Sequence, residues 1–355
     1  MLSVPTCARI PHRSFLSLTG VHATQFLNGI VTLGPPVPAR GGFFTAFLHA
    51  QGRVLYDTFV YRQPSSQGHE DGFVIEYDSR PSAAPSLISL LKRYVLRSKV
   101  KVKDVSEQWD VWGIWGTETE PDDRKWRWSR SGAVEPIWGS ETWPWGGDQD
   151  SFLLRDRRAY GMGSRRLIRK DDAPPEASNH NVTVSEAYTI HRISLGVPEG
   201  IVDIPPLQAF PMESNLDVMG AIDFRKGCYV GQELTVRTYH TGVVRKRILP
   251  VKIRPMATEE MMQATVFYPK LTPGLDIRPM SQAISDGKSR PRGTGKLLSS
   301  VGNVGLALLR LEHVEGVSRG LADFELEVDE LNKQRWRVVH SWPNGWPVRG
   351  VNEIA

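Results

Sequence analysis

The chain has 355 residues and two cysteines, and its 44 Lys and Arg against 39 Asp and Glu give a net charge of +5. That length predicts roughly two to three domains at ~150 residues each, and two cysteines exclude a disulfide framework and favour a reducing compartment. No apolar run reaches the roughly 18 residues of a membrane span, and dispersed cations without a zinc-finger or RNA-binding signature argue against a DNA partner.

Residues 14–18 alternate and predict a strand, after which Thr19 is placed to cap a short helix over 21–30. Residues 41–61 read as a hairpin turning near Ala50-Gln51-Gly52, and 73–77 as a further strand. Leu87, Leu90, Leu91, Tyr94 and Val95 fall at helical spacing within 85–96. Residues 100–105 alternate Val with Lys, which predicts a strand with one wet face, and 111–115 follows. Eight of the eleven tryptophans lie between Trp109 and Trp145. Trp109, Trp112 and Trp115 read as packed strand residues, and the others as decoration of a polar, Gly-rich loop. Arg124, Lys125 and Arg127 beside them leave base stacking open. Residues 151–157 resume strand character, and 171–178 read as a linker. Thr183-Val184-Ser185-Glu186 has the capping-box pattern, for a helix that ends at Gly196 and Pro198. Beyond Val244 short strands dominate, at 248–253, 264–268, 295–300, 304–309, 324–328 and 336–340, which predicts a small barrel. Residues 269–293 read as an irregular insertion.

The run Lys226-Gly227-Cys228-Tyr229-Val230-Gly231-Gln232-Glu233 sets a cysteine between two glycines, beside Arg225 and Lys226 and ahead of a predicted helix. Unpaired helix N–H groups and the adjacent ammonium favour a thiolate there. Gly227 and Gly231 imply a backbone with positive φ or a close approach. The alternative is a buried cysteine acting as a small hydrophobe. Gly161-Met162-Gly163 lacks the third glycine of a dinucleotide loop, and no His-Glu-x-x-His motif occurs. His191 reads as a satisfied mid-helix histidine. His240 is either a partner of the cysteine or a helix-end histidine facing the dipole.

KGCYVGQE resembles the signature of the YgfZ-type folate-binding proteins, relatives of the glycine-cleavage T-protein, an aminomethyltransferase. Residues 196–200, 203–206, 213–216 and 237–247 are similar to the mitochondrial branch of that family, iron–sulfur cluster assembly factors that act late on four-iron clusters. The likeness also touches 16–20 with 26–29, 51–54, 295–298 and 305–310. It implies an α+β, T-protein-like fold of two α+β lobes and a C-terminal β-barrel around a central hole. The lobes are expected at 1–48 with 151–244, at 49–150 with the Trp-rich insertion, and at 245–355. It implies mitochondrial matrix localisation. The segment before Asp57, the first acid, carries Arg9 and Arg13 and loosely fits a transit peptide. Because the likeness starts near residue 14, most of a targeting peptide is expected to be missing.

The T-protein pattern Q-G-G-V-x-D-D reads here Gln51-Gly52-Arg53-Val54-Leu55-Tyr56-Asp57. Tyr56 replaces one acid of the pair, so aminomethyl transfer is not expected and no catalytic residue is assigned. Cys228 is implied as a transient cluster and metal ligand, set by Lys226, Gly227, Gly231, Gln232 and Glu233. A-type scaffold proteins are the implied partners of an otherwise monomeric chain, since a cluster usually needs four thiolates. Tetrahydrofolate is the implied cofactor, with Tyr188, Asp57, Glu199, Asn215 and Arg13 as its contacts. The alternatives are a folate-dependent aminomethyl- or methyltransferase-like enzyme and an RNA-modification factor.

Overall fold

The computed structural model describes residues 4–36, 41–63, 72–117, 124–139, 143–146, 150–256, 268, 270–281, 294–328 and 334–347. In chain order come β1 (Thr6–Arg9), β2 (Arg13–Thr19), α1 (Ala23–Asn28), β3 (Phe43–Leu48), β4 (Val54–Gln63), β5 (Gly72–Asp78), α2 (Leu87–Val95) and β6 (Lys101–Asp104). Next are β7 (Trp109–Trp115), β8 (Lys125–Trp128), β9 (Val134–Ile137), β10 (Leu153–Arg155), β11 (Ser164–Arg169) and β12 (Asn181–Thr183). Helices α3 (Ser185–Ser194), α4 (Gly200–Asp203) and α5 (Gln232–Thr241) lead to β13 (Lys246–Pro255), β14 (Asp276–Ser281), β15 (Gly295–Val301) and β16 (Val304–Arg310). The described order ends with α6 (Leu311–Ser318), β17 (Ala322–Val328) and β18 (Gln334–His340).

Two five-stranded sheets form the body, ordered β10-β11-β7-β1-β12 and β3-β4-β5-β2-β6. Strand β3 is buried throughout, as is most of β4. Both faces are therefore covered, which is why these strands read as near-continuous apolar runs rather than alternation. In the edge strand β6 Lys101 and Lys103 are exposed and Val102 is half-buried, the one wet face that the Lys–Val alternation predicts, and Asp104 is exposed as well. Strands β13-β16-β15-β14-β17-β18 close a barrel. Its interior takes alternate residues, among them Leu249, Val251 and Ile253 of β13 with Phe324, Leu326 and Val328 of β17, the period-two filling that a small barrel requires. Helix α3 wedges between body and barrel: Ile193 is buried with Ile248, Leu298 and Leu306.

Several sequence expectations are corrected. The antiparallel pair β3–β4 runs from Phe43↔Val60 to Phe47↔Tyr56, across the expected lobe boundary at residue 48. Strand β7, expected in the second lobe, pairs with β1 and β11. The hydrogen-bond ladders, not the chain segments, decide the division. Thr19 does not cap α1, whose N-cap is His22. Thr183 is drawn into a parallel pair with Ala8, so the capping box does not form and Val184 takes the N-cap position. Strand β14 occupies part of the expected insertion. Pro279 sits in it beyond Asp276 and Ile277, which pair with β15, and so costs no ladder bond there. Strands β1 and β11 and helix α6 were not read from the sequence. The expected strand at 264–268 lies almost entirely outside the described residues.

Candidate functional site

Cys228 is exposed and Cys7 is buried. The cysteine rides on a loop fixed at several points. Asp223 Oδ1 accepts from the Arg225 and Lys226 amides at 2.8 and 3.1 Å, an Asx-type turn. The Lys226 ammonium donates to the carbonyls of Asn28 and Val31 at 2.6 and 2.7 Å, satisfying acceptors at the end of α1. Gln232 folds back so that its Oε1 accepts from the Tyr229 amide at 3.2 Å. Glu233 is exposed in the first turn of α5, the favourable end for an acid. His240 is exposed at the other end of that helix, against Tyr239.

The two glycines differ. Gly231 has φ +81 and caps α5. A Cβ there would lie 2.8 Å from the Leu48 Cβ and 3.3 Å from the Gly52 Cα, so the close approach expected from sequence is real. Gly227 has no atom within 4 Å of a would-be Cβ. Its small size answers no demand of the chain itself, and the space beside Cys228 stays open. The Lys226 ammonium is committed to the Asn28 and Val31 carbonyls. Burial lowers its pKa to about 8.

Four of the five expected folate contacts meet at a second place, deep between the two sheets. Glu76 of β5 accepts from Arg13 Nε at 2.6 Å, from Arg165 Nε at 3.0 Å and from the Tyr61 hydroxyl at 2.8 Å. Glu199 Oε2 accepts from Arg158 at 2.7 Å, Arg165 at 3.1 Å and the Tyr188 hydroxyl at 2.8 Å. Asp156 holds Arg158 from the far side at 2.7 Å. The guanidiniums of Arg158 and Arg165 lie over the Phe59 ring, 4.8 and 4.3 Å from its centroid. These side chains are almost wholly buried. Burial alone would raise the Glu199 pKa, but Arg165, Arg158, Arg13 and Arg192 together hold it well below the usual range. Pairing on every side is the condition under which buried charges are tolerated.

Asp57 belongs to this network and differs from its neighbours. Its Oδ1 accepts from the Gly200 amide at 3.1 Å at the start of α4. Burial raises its pKa against the opposing pull of Arg13. Its Oδ2 and Arg13 Nη2 are buried without a hydrogen-bond partner. That donor and acceptor are the part of the network that fits a polar ligand edge. Tyr188 does not fit a stacking role. Its hydroxyl also accepts from Arg165 at 2.7 Å and Arg158 at 3.0 Å, and its ring lies so near Gly113 that a Cβ there would come within 2.7 Å. Asn215 stands apart. With φ +62 it donates through Nδ2 to the Ile248 carbonyl at 2.7 Å, binding the first barrel strand to the body. Tyr56, in place of an acid, packs edge-on to Tyr77 and donates to the Pro85 carbonyl at 2.7 Å.

Arg158, Arg165 and Glu76 were missed from sequence. One signal existed: Arg165 and Leu167 share a face of β11, and both are buried. A cavity of about 550 Å³ lies elsewhere, where β8–β9, the α5–β13 link and the barrel meet, bounded by Trp128, Val244, Leu311 and Trp346. None of the five folate candidates lines it. Among the described residues no group of three or more His, Cys, Asp or Glu could hold a metal ion, and no helix is long and apolar enough to cross a membrane.

Residues 245–348 match the family model described as the CAF17 C-terminal β-barrel domain. The chain is 38% identical over 335 residues, 88% of its length and 86% of the relative's, to a protein of Cryptococcus neoformans named iron-sulfur cluster assembly factor IBA57 homolog, mitochondrial. A Pyricularia oryzae protein of the same name is 40% identical over 302 residues, 84% of this chain and 70% of the relative. The fold resembles the crystal structure of glycine cleavage system aminomethyltransferase T from Bartonella henselae, with a TM-score of 0.57 and 13% identity over 96% of this chain and 86% of that one.

Proposed function

Since the chain belongs to the IBA57 family of mitochondrial iron–sulfur cluster assembly factors, we propose that it acts late in the maturation of four-iron clusters in the mitochondrial matrix and touches its cargo through Cys228. The observation that carries this is an exposed thiol on a braced loop, with open space at the neighbouring Gly227. A thiolate is a soft ligand suited to iron–sulfur clusters, and a braced loop presents it at a defined place. Two-iron and four-iron clusters usually take four thiolates. Cys228 supplies one, so the others come from a partner, for which we take an A-type scaffold protein.

The chain acts in this proposal without turnover of its own. Tyr56 leaves the hairpin one carboxylate short of the acidic pair that would serve aminomethyl transfer. Folate is a secondary proposal about the same molecule. Asp57 Oδ2 and Arg13 Nη2 would hold the polar edge of a pterin, one accepting and one donating. Tyr188 and Glu199 would act behind them by holding the arginines.

Anaerobic mixing of the protein with an A-type scaffold and a two-iron cluster donor tests the main proposal. A mixed complex carrying the cluster, seen by size exclusion and absorbance and lost in Cys228→Ser, is expected. A complex that forms and fills equally well with Cys228→Ser would overturn it.

A further inference from the structure

Hairpin β8–β9, inside the Trp-rich segment, reaches the Cys228 loop through one side chain. Glu135 of β9 accepts from the Arg225 guanidinium at 2.7 Å through Oε2, and from the Tyr239 hydroxyl through Oε1. Arg225 lies three residues before Cys228. Tyr239 lies about two turns into α5, the helix that follows. One carboxylate therefore ties the segment entering the loop to the helix leaving it. The Tyr239 ring also stacks on Phe224, with centroids 4.1 Å apart, so the tie has an apolar floor.

The hairpin is itself moored. The Val134 amide donates to Asp217 Oδ2 at 3.0 Å. The Ser131 and Gly132 carbonyls accept from the Val244 amide at 2.7 Å and from Arg247 at 2.9 Å. On the opposite flank Lys226 is bound to the carbonyls at the end of α1. Cys228 hangs between the two moorings. Arg225 is 61% exposed, and an exposed ion pair by itself contributes little. Glu135 is 13% exposed and its second oxygen is taken by the phenol, which makes the tie a fixed geometry rather than a surface contact.

Resting on the assignment of cluster contact to Cys228, we infer that Glu135 is a positioning residue for that thiol, acting through Arg225 and Tyr239. It sets where the sulfur stands when the cluster is shared. Because a surface loop opens locally without global unfolding, losing the tie shows in cluster capture far more than in melting.

The test compares wild type with Glu135→Ala, Glu135→Gln, Cys228→Ser, the pair Arg225→Gln with Tyr239→Phe, and the pair combined with Glu135→Ala. Each is mixed anaerobically with an A-type scaffold and a two-iron cluster donor. Iron content and visible circular dichroism of the complex are read beside the melting curve of the free protein. Glu135→Ala is expected to hold about tenfold less cluster, with a melting curve close to wild type. Glu135→Gln, which still accepts hydrogen bonds, recovers part of it. The Arg225/Tyr239 pair matches the loss of Glu135→Ala, and the triple variant loses no more, since all act through one interaction. Wild-type cluster content and dichroism in Glu135→Ala, beside a failing Cys228→Ser, overturn the positioning role and leave the cluster function standing. An additive further loss in the triple variant overturns it too. Should Glu135→Ala unfold, the Arg225/Tyr239 pair decides: wild-type content there overturns the role. Full cluster content in Cys228→Ser removes both the function and the inference.

Discussion

Gly231 and Gly52 press together beneath the Cys228 loop. A Cβ on Gly231 would lie 3.3 Å from the Gly52 Cα, and one on Gly52 would lie 3.1 Å from the Gly231 carbonyl oxygen. Both backbones are left-handed, at φ +81 and +79. The hairpin tip and the N-terminus of α5 can meet this closely only where neither chain carries a side chain. The cysteine loop thus sits on the tip of β3–β4, while Asp57, farther along β4, belongs to the buried network.

Gly231→Ala is therefore expected to destabilise the protein by about 1–3 kcal/mol, from backbone strain alone, with more where the hairpin tip must shift. Gly227→Ala meets nothing within 4 Å and should melt as wild type. A loss of cluster capture by Gly227→Ala would then report on the partner side. Thermal melts of both variants check the contrast, and a Gly231→Ala protein as stable as wild type would show that the close packing carries no weight.

Tyr188 is expected to be a stability residue. Tyr188→Phe keeps the ring but removes the hydroxyl that serves Arg158, Arg165 and Glu199. Leaving buried donors unsatisfied costs about 1–3 kcal/mol. Glu199→Ala takes one of two carboxylates from each of Arg158 and Arg165, which keep Asp156 and Glu76, and is expected to cost about 3 kcal/mol, the lower end for breaking a buried ion pair. Urea unfolding measures both. Tyr188→Phe with unchanged stability would return the residue to the list of ligand contacts.

Stability should fall with acid before the carboxylates titrate. Burial lowers the His191 pKa from 6.5 to about 4, and its Nε2–H donates to the Gly161 carbonyl at 3.0 Å. Between those values the unfolded chain binds a proton that the folded chain does not. The His191 contribution is therefore complete above about 6.5 and is lost as pH falls toward 4. Burial also lowers the pKa of His313 and His340, so His191→Phe should remove only part of the slope. That variant keeps a ring against Trp115, on which His191 now stacks at 4.7 Å. Urea unfolding at pH 7 and pH 4.5 should show wild type losing more than the variant, by up to about 3 kcal/mol. Equal losses would mean that the histidine is not neutral in the fold.

The cysteine loop was legible because its signal is contiguous: one thiol, two glycines, a basic flank and a helix start within a dozen residues. The barrel was legible because β13, β15, β16, β17 and β18 are short apolar strands that follow one another with turn signals between them. The arginine network was legible only in part: the family likeness singles out Arg13, Asp57, Tyr188 and Glu199 as folate contacts, and misses Arg158, Arg165 and Glu76. Its members stand at 13, 57, 61, 76, 156, 158, 165, 188 and 199, on separate strands and turns; the ladder that pairs β2 with β5 and the packing of the other sheet, which carries β11, against it bring them together. The Trp-rich segment was misread for a related reason. The role of Glu135 depends on Arg225 and Tyr239, about ninety or more residues away. Local patterns lost to tertiary pairing at Thr183, where strand formation with β1 displaced a well-formed capping box.

The two cysteines should separate cleanly. Cys7 is fully buried in β1 between β7 and β12, and burial pushes its thiol pKa up. Cys228 is exposed. Under native conditions an alkylating reagent should modify Cys228 and spare Cys7, with mass spectrometry locating the adduct. Cys228→Ser replaces an exposed sulfur by a hydroxyl of similar size, so its melting curve should match wild type. A hydroxyl is a hard ligand poorly matched to an iron–sulfur cluster, so the mixed complex should lose its cluster. Cys7→Ser places a hydroxyl in the core, at a cost of about 1–3 kcal/mol, and should capture clusters normally at temperatures where it is folded. A packing role for Cys228 predicts the reverse pattern, with lost stability and unchanged cluster content. Melting curves and iron content for the two single variants decide between them, because no one role accounts for both signs.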